Sequence, residues 1–288
     1  MPDSILRTEY EKVKEYCSAD RKGERTGEAI FELVSTSLTF LLGQCAPIDL
    51  VSRVPGKRYF TYKKNNVVAR PANKELFIPS LAEVGKLWLK WMGQTISTVE
   101  FSKLTYTVAL APCLAMEIFD RQNKKGPATY FECYIGHLFA KTLGINPTKR
   151  VRLPVRDRKV LMTMDFLMDI AGNNNWKIHL PVKMSTRERV VQAWAHQRLL
   201  NAAYGEGKYH GIMVLFSETK LDSRNHEVVE ICVPDQWLAY QSLLARMDRI
   251  YYFDIPCRYQ ELTDAYPDVI CIKQFGEFFN EKETVLRP

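Results

Sequence analysis

The sequence predicts an α/β fold in which a mixed central sheet is flanked by helices, preceded by a mainly helical N-terminal region. From Pro127 onward the pattern runs helix, two or three strands, helix, two strands, helix and strand. Residues 209–216 (YHGIMVLF) form a short apolar run that is typical of a buried central strand. Before residue 120, by contrast, apolar residues recur mostly at helical spacing.

The N-terminal part is expected to hold most of its structure in helices. A proline at position 112 should kink or break the last of them. The polar stretch 121–126 (RQNKKG) interrupts the pattern. We therefore expect residues 1–125 to form a helical region for DNA binding or dimerisation, and residues 126–288 to form the core domain. The expected N-terminal helices span residues 4–18, 27–43, 80–92 and 99–119.

The amino-acid composition limits the classes of protein to which the chain can belong. The chain has 288 residues, of which 46% are hydrophobic and 25% charged, as in soluble globular proteins. Lys and Arg number 40 against 33 Asp and Glu, which gives a net charge of +7 and is a weak indication of a polyanionic partner. Seven scattered cysteines without metal-ligand spacing argue against a disulfide framework or a zinc cluster. Since neither a signal peptide nor a membrane span is evident, we expect a cytoplasmic protein.

Two basic segments suit a nucleic-acid surface. In residues 53–70 the cations, which include Arg58 and Lys63, alternate with the aromatic residues Tyr59, Phe60 and Tyr62. Phosphates attract cations and unstacked bases stack on flat rings. A solvated loop with one buried edge explains the same pattern. Residues 149–159 (KRVRLPVRDRK) equally suit phosphate contact or a solvated edge strand.

A predicted β-hairpin brings an acid and an amine together. Residues 162–170 and 176–183 read as strands around a Gly-Asn-rich turn at 172–175, so Asp165 and Lys183 should lie near each other across the ladder. Such a pair is either a salt bridge or part of a metal-dependent active site. Glu132 lies beside the apolar stripe of the preceding helix and needs a cation, a metal or hydrogen bonds, with a salt bridge as the default.

The residues after Lys183 favour recognition of an anion. Ser185 and Glu188 have the spacing of a capping box, which by itself predicts only a helix start. Arg187 and Arg189, however, fall in the first turn, where the helix dipole disfavours cations. An Arg-Glu-Arg triplet there is suited to reading G·C pairs, since arginine binds guanine O6 and N7 and a glutamate accepts from the cytosine amine.

The run Lys183-Met184-Ser185-Thr186-Arg187-Glu188-Arg189, with Asp165 upstream, resembles the PD-(D/E)xK type II restriction endonucleases. It is most similar to the EcoRII and NgoMIV group, which cuts CCGG-like and CCNGG-like sites. The resemblance covers about residues 127–220. It implies a restriction-endonuclease-like core and a Lys183 that orients or activates water.

The same resemblance assigns Asp165 and Glu132 as metal ligands, and Ser185 with Arg187, Glu188 and Arg189 as DNA contacts. Two departures accompany it. Pro181 stands where most of the superfamily has an acid. In the similar group that acid lies thirteen or fourteen residues after the lysine, where this chain has His196 and Gln197. Gln197 is the candidate for this catalytic position, and Asp169 is a rival for either carboxylate role.

The expected function is therefore a sequence-specific, Mg²⁺-dependent endonuclease of a restriction-modification system. It would hydrolyse double-stranded DNA at a short G/C-rich palindrome. Oxygen ligands and the lack of a Cys/His cluster point to Mg²⁺, and a palindrome calls for a two-fold homodimer. A cognate DNA methyltransferase would act on the same site, in a bacterial or archaeal cytoplasm. Two alternatives stay open: a non-catalytic DNA-binding protein, and a repair-type nuclease of the same fold.

Overall fold

A computed structural model describes residues 2–170, 177–186, 190–222 and 227–286 of the chain. The helices are α1 (Pro2–Ala19), α2 (Glu24–Gln44), α3 (Leu81–Met92), α4 (Thr98–Phe119), α5 (Gly126–Leu143), α6 (Val191–Tyr204), α7 (Pro234–Ala239), α8 (Cys257–Ala265) and α9 (Phe278–Leu286). The strands are β1 (Ala46–Ser52), β2 (Tyr59–Lys64), β3 (Val67–Val68), β4 (Ala72–Asn73), β5 (Thr148–Val155), β6 (Arg158–Asp169), β7 (Lys177–Leu180), β8 (Val182–Lys183), β9 (Tyr209–Leu215), β10 (Thr219–Asp222), β11 (Glu227–Glu230), β12 (Arg249–Tyr252) and β13 (Ile272–Gln274).

The chain divides into two compact units, and the division differs from the expected boundary at residue 125. The first unit joins residues 1–137 to residues 219–231, and the second joins residues 138–218 to residues 232–288. The boundary thus falls inside α5. The polar stretch 121–126 does not separate the units, because it connects α4 to α5 inside the first unit.

The first unit is built on the expected helices and also contains a sheet. The sequence prediction of four N-terminal helices is confirmed. Pro112 does not break α4, which continues to Phe119 and is opened by a capping box between Ser97 and Glu100. The sheet has the order β10-β11-β1-β2-β3, with β4 paired to β2. Sequence reasoning missed this sheet because its strands are short and two of them come from after residue 218.

The second unit contains the expected mixed sheet flanked by helices, so the predicted fold class is confirmed. Its strands follow the order β13-β12-β9-β7-β6-β5, with β8 paired to β9. Strands β7, β9, β12 and β13 run parallel, whereas β5 and β6 are antiparallel to their neighbours. Helix α6 places Trp194 against the buried rings of Trp237 and Tyr252, which forms the main core on one side of the sheet.

No helix among the described residues has both the length and the apolarity needed to cross a bilayer.

Candidate active site

Asp165 lies in an irregular part of β6. Thr148 of β5 pairs with Leu167, but Arg150, two residues on, pairs with Thr163 four residues back. Two additional residues of β6 are therefore accommodated here, and such bulges shift the alternation of side chains and re-aim them. Leu167 consequently packs in the same apolar cluster as Met164, three residues earlier. The bulge frees Asp165 from the regular ladder.

The carboxylate of Asp165 contacts Lys183 and the backbone beside it. Lys183 donates from Nζ to Oδ2 at 2.7 Å and to Oδ1 at 3.0 Å, and the N–H of Val182 donates to Oδ2 at 2.9 Å. The two side chains are 26% and 21% exposed, so the pair remains accessible to a ligand. The expected contact between Asp165 and Lys183 is confirmed.

The backbone around Pro181 explains how Lys183 reaches the acid. Strand β7 pairs with β6 only as far as Leu180, opposite Phe166. Pro181 cannot donate to a ladder. After it, β8 continues beside β9, with Lys183 opposite Leu215. Lys183 thus leaves the hairpin ladder, and its long side chain returns across the gap to Asp165.

A buried hydrogen-bond network lies behind this pair. His179 is 1% exposed, and its Nδ1 lies 2.9 Å from Oε1 of Gln197. The amide of Gln197 donates from Nε2 to the carbonyl oxygen of Tyr209 at 2.7 Å and to Oδ1 of Asn201 at 2.9 Å. Because a carbonyl oxygen only accepts, these contacts fix the orientation of the amide. The proton of the His179 ring is therefore on Nδ1.

The ring of His179 is neutral for a physical reason. Burial lowers the pKa of His179 to about 4, and the nearby charge of Lys183 acts in the same direction. Burial also lowers the pKa of His196, whose ring centroid lies 6.2 Å from that of His179. Asp165 opposes both shifts by Coulomb attraction. Two uncharged imidazoles thus lie near the acid–amine pair.

Gln197 supports the ring of His179 from a buried position. It is 1% exposed, and its carbonyl oxygen accepts a hydrogen bond from His179. Gly211 of β9 makes room for this amide, since a Cβ there would lie 2.9 Å from the Gln197 oxygen. Gln197 thus positions the His179 ring, and its place in the catalytic set stays a prediction.

The other predicted carboxylates differ in their surroundings. Asp169 is 69% exposed and forms an ion pair with Lys177 at 2.5 Å. It lies four strand residues from Asp165, about 13 Å along β6, so it is a poor rival for the metal site. Glu132 lies on α5 in the first unit, partly buried. Its grouping with Asp165 stays a prediction.

The predicted base-reading turn, Arg187 with Glu188 and Arg189, lies outside the described residues. Its flanks are described. Helix α6 begins at Val191, after an N-cap at Val190. Ser185, half-buried, is therefore too far from the helix start to cap it, which corrects the expected capping box.

Thr186 anchors the segment that leads to this turn. Its N–H and its hydroxyl both donate to Oε1 of Glu218, at 2.9 and 2.6 Å, and the hydroxyl of Tyr252 donates to the same oxygen. Thr186 and Glu218 are buried. Sequence reasoning missed Glu218 and His179. The available signal was the polar residue each places in an otherwise apolar strand or strand end.

The basic segment at residues 53–70 belongs to the first unit and is only partly a free surface. Arg58 donates to Glu75 at 2.7 Å, and Lys63 lies half-buried on β2. The rings of Tyr59, Phe60 and Tyr62 are 1%, 8% and 2% exposed. The interpretation of these aromatics as base-stacking platforms is therefore wrong, because all three are buried, with Phe60 and Tyr62 packed against Phe77.

Comparison with solved structures identifies the fold. The crystal structure of the Type IIP restriction endonuclease Kpn2I matches with a TM-score of 0.84 at 22% sequence identity, over 100% of this chain and 98% of that chain. The chain has the fold of a restriction endonuclease. A restriction endonuclease PspGI–substrate DNA complex is also similar, with a TM-score of 0.45 and 15% identity over 71% of this chain and 92% of that chain. No protein-family model matches the sequence, and no curated protein is detectably similar to it.

Proposed function

We propose that this protein is a Mg²⁺-dependent, sequence-specific endonuclease of a restriction-modification system, which hydrolyses double-stranded DNA at a short G/C-rich palindrome. The observation that carries the proposal is the Asp165–Lys183 pair, which is partly exposed and held at a bulge in a sheet of restriction-endonuclease fold. A carboxylate that can bind a metal ion and an amine that can stabilise developing charge are two groups that metal-assisted phosphodiester hydrolysis uses.

The donors present fit Mg²⁺. Among the described residues, no three His, Cys, Asp or Glu side chains converge on a common point. Mg²⁺, however, is usually bound by one or two carboxylates together with waters and substrate phosphates. Asp165 supplies one such oxygen ligand, and Glu132 is proposed as the supporting one. When bound, the ion would neutralise the scissile phosphate and acidify a water.

The protein groups near the metal ligand have distinct roles in the proposal. The ammonium of Lys183 holds the attacking water and donates to the phosphoryl oxygen that gains charge. His179 and Gln197 lie behind the pair and keep a neutral, fixed ring there. Their part is to position the site, because His179 is buried too deeply to touch substrate.

Recognition is assigned to the segment that follows Lys183. Thr186, the residue before the predicted turn with Arg187, Glu188 and Arg189, is anchored on buried Glu218. We propose that this turn and Ser185 read the G·C pairs. Lys63 is kept as a phosphate contact, whereas Arg58 is not, because Glu75 already neutralises it. A homodimer would cut both strands of the palindrome, and a methyltransferase would protect the same site.

A non-catalytic DNA-binding protein is the competing function, and two observations favour it. Asp165 accepts hydrogen bonds from Lys183 and from Val182, as a structural salt bridge would. The position where the similar group has its second acid is also occupied by a histidine and a glutamine. In that case the ion pair would stabilise the hairpin only.

Digestion of sequenced plasmid DNA separates these functions. With Mg²⁺ we expect discrete fragments, and with a chelator none. Lys183→Ala should abolish cleavage and retain specific binding, whereas Arg187→Ala should lose specific binding. Specific binding without any cleavage by the unmodified protein would support the non-catalytic function. Cuts that follow DNA structure instead of sequence would point to a repair-type nuclease.

A further inference from the structure

Strands β5 and β6 continue beyond the sheet as a two-stranded ribbon. They pair from Arg150–Thr163 to Val155–Arg158, and a turn at residues 156 and 157 joins them. The next strand, β7, pairs with β6 only over residues 166–169, so in the described sheet residues 158–163 have a paired strand on one side only. We call residues 150–163 the basic ribbon. An isolated two-stranded ribbon is marginally stable in water.

The two faces of the basic ribbon differ. On one face, Leu153 is 3% exposed, and it packs with Val151 and Met162 against Leu200 of α6. The hydroxyl of Tyr204, also on α6, donates to the carbonyl oxygen of Arg152. This face and this bond fasten the base of the ribbon to the second unit.

The opposite face and the tip carry uncompensated positive charge. Directly opposed residues share a face of a ribbon, so the pairs formed by Arg150, Arg152 and Lys159 place these three cations together. All the cations of the ribbon are exposed, and within the described part of the chain none of them forms an ion pair. They are Arg150, Arg152, Arg156, Arg158 and Lys159.

The positive charge of the basic ribbon indicates the chemistry of its partner. Like charges on neighbouring strands are destabilising, and the single carboxylate in the turn, Asp157, offsets only one of them. A second copy of the ribbon would bring the same charges face to face, so self-association is disfavoured. Four of the five cations are arginines, which bind phosphate through two parallel hydrogen bonds. A partner with a regular series of phosphate groups can bind all five cations.

We propose that the basic ribbon binds the phosphate backbone of duplex DNA flanking the recognition site; this rests on the proposed function. The strand that carries the tip residue Arg158 also carries Asp165, seven residues further on. Seven strand residues span at most about 23 Å, since the bulge at Asp165 shortens the path, and this corresponds to at most about seven base pairs at 3.4 Å each. The ribbon therefore contacts DNA up to about seven base pairs from the scissile bond.

The test compares two variants that remove equal charge. The ribbon variant is Arg156→Gln with Arg158→Gln and Lys159→Gln, all at exposed tip positions. The control is Lys86→Gln with Lys124→Gln and Lys125→Gln, which are exposed cations of the first unit. Equal melting temperatures of both variants and the unmodified protein establish that folding is intact.

Salt dependence of DNA binding gives the first result. Each lost phosphate contact lowers the slope of log K against log salt by about 0.9. For the ribbon variant we expect the slope to fall by about 2 to 3, with affinity weakened about tenfold or more near 0.1 M salt. The control should keep the slope of the unmodified protein. An unchanged ribbon variant, or an equal loss in both variants, overturns the proposal.

Duplex length gives the second result. On duplexes with about two flanking base pairs, the ribbon variant and the unmodified protein should cut equally well. With about ten flanking base pairs, only the unmodified protein should gain kcat/KM. An equal gain of kcat/KM in the ribbon variant and the unmodified protein contradicts the proposal. A change in the oligomeric state of the ribbon variant without DNA, as its main difference, contradicts it as well. If the unmodified protein neither binds nor cuts DNA, the proposed function itself fails.

Discussion

Two basic segments look alike in the sequence and differ in the folded chain. In residues 53–70 four of the six cations pair with acids of the first unit, and in the basic ribbon of the second unit none does within the described residues. Lys64 of the first segment also lies over the ring of Phe40 and donates to Gln44. The ion pairs of the first segment are Arg53–Glu227, Lys57–Glu230, Arg58–Glu75 and Arg70–Glu117.

The difference lies in acids that are distant in sequence. The partners of the first segment are 17 to 174 residues away, and two of them come from β11, which pairs with β1. No such strand lies beside the free edge of β5 in the described sheet. A run of cations therefore indicates a phosphate-binding surface only when the tertiary structure leaves it without acids.

The largest predicted effect is at Lys183, which tests this rule because it is paired with an acid and is still proposed to act on DNA. Lys183→Ala should lower kcat by roughly a thousandfold, in the range typical of positioned acid–base groups. Lys90→Ala, which breaks a pair of similar exposure with Glu100, serves as the control. It should leave kcat within about twofold. Single-turnover cleavage with Mg²⁺ measures both.

Equal effects of the two substitutions would place Lys183 among the structural ion pairs. Cleavage at the unmodified rate by Lys183→Ala would also remove Asp165 from the active site, since the two roles were assigned together. Specific binding, measured without divalent ions, should be nearly the same for the Lys183→Ala variant and the unmodified protein. A loss of binding in this variant alone would point to disturbed packing of β8.

The second prediction concerns His179, a buried side chain that stays uncharged in the folded protein. The pKa of His179 is about 4 in the folded protein, against about 6.5 in an unfolded chain. The unfolded state therefore takes up a proton as the pH falls through 6.5, while the folded state stays neutral. The free energy of unfolding should fall by up to about 3 kcal/mol between pH 6.5 and pH 4. Urea unfolding of the metal-free protein across this range measures it.

His179→Asn is the matched control for that curve. The asparagine amide can still donate to Gln197, and it does not titrate. The variant should be less stable at pH 7, because it is smaller, but its stability should depend less on pH over the same range. His196 contributes a residual slope of the same sign in both proteins. Parallel curves for the two proteins would show that His179 is charged, or exposed, in the folded state.

The sequence predicted elements with a strong local signal and missed those that depend on distant pairing. The pairing of β6 with β7, helix α6 and the neighbourhood of Asp165 and Lys183 followed from periodicity and from spacing about the predicted turn at 172–175. That turn itself lies outside the described residues. The sheet of the first unit was missed, because β10 and β11 come from a segment more than 150 residues away from β1. Glu218 and His179 were missed because the sequence shows each only as a polar residue in or beside an apolar strand, and the partner that satisfies it is set by the tertiary structure.

The smallest predicted effect separates two ion pairs of the first segment itself. Arg70 contacts Glu117 through its backbone N–H and its guanidinium, with side chains 28% and 26% exposed, whereas Arg58 and Glu75 are 76% and 43% exposed. Arg70→Gln leaves a partly buried carboxylate and should cost about 2 kcal/mol of unfolding free energy, below the range for fully buried pairs. Arg58→Gln should cost under about 1 kcal/mol, because water screens an exposed pair. Chemical denaturation in low and high salt distinguishes the two ion pairs, since salt screens the exposed pair much more than the partly buried one. Equal costs for the two substitutions would mean that burial does not decide the strength of these pairs.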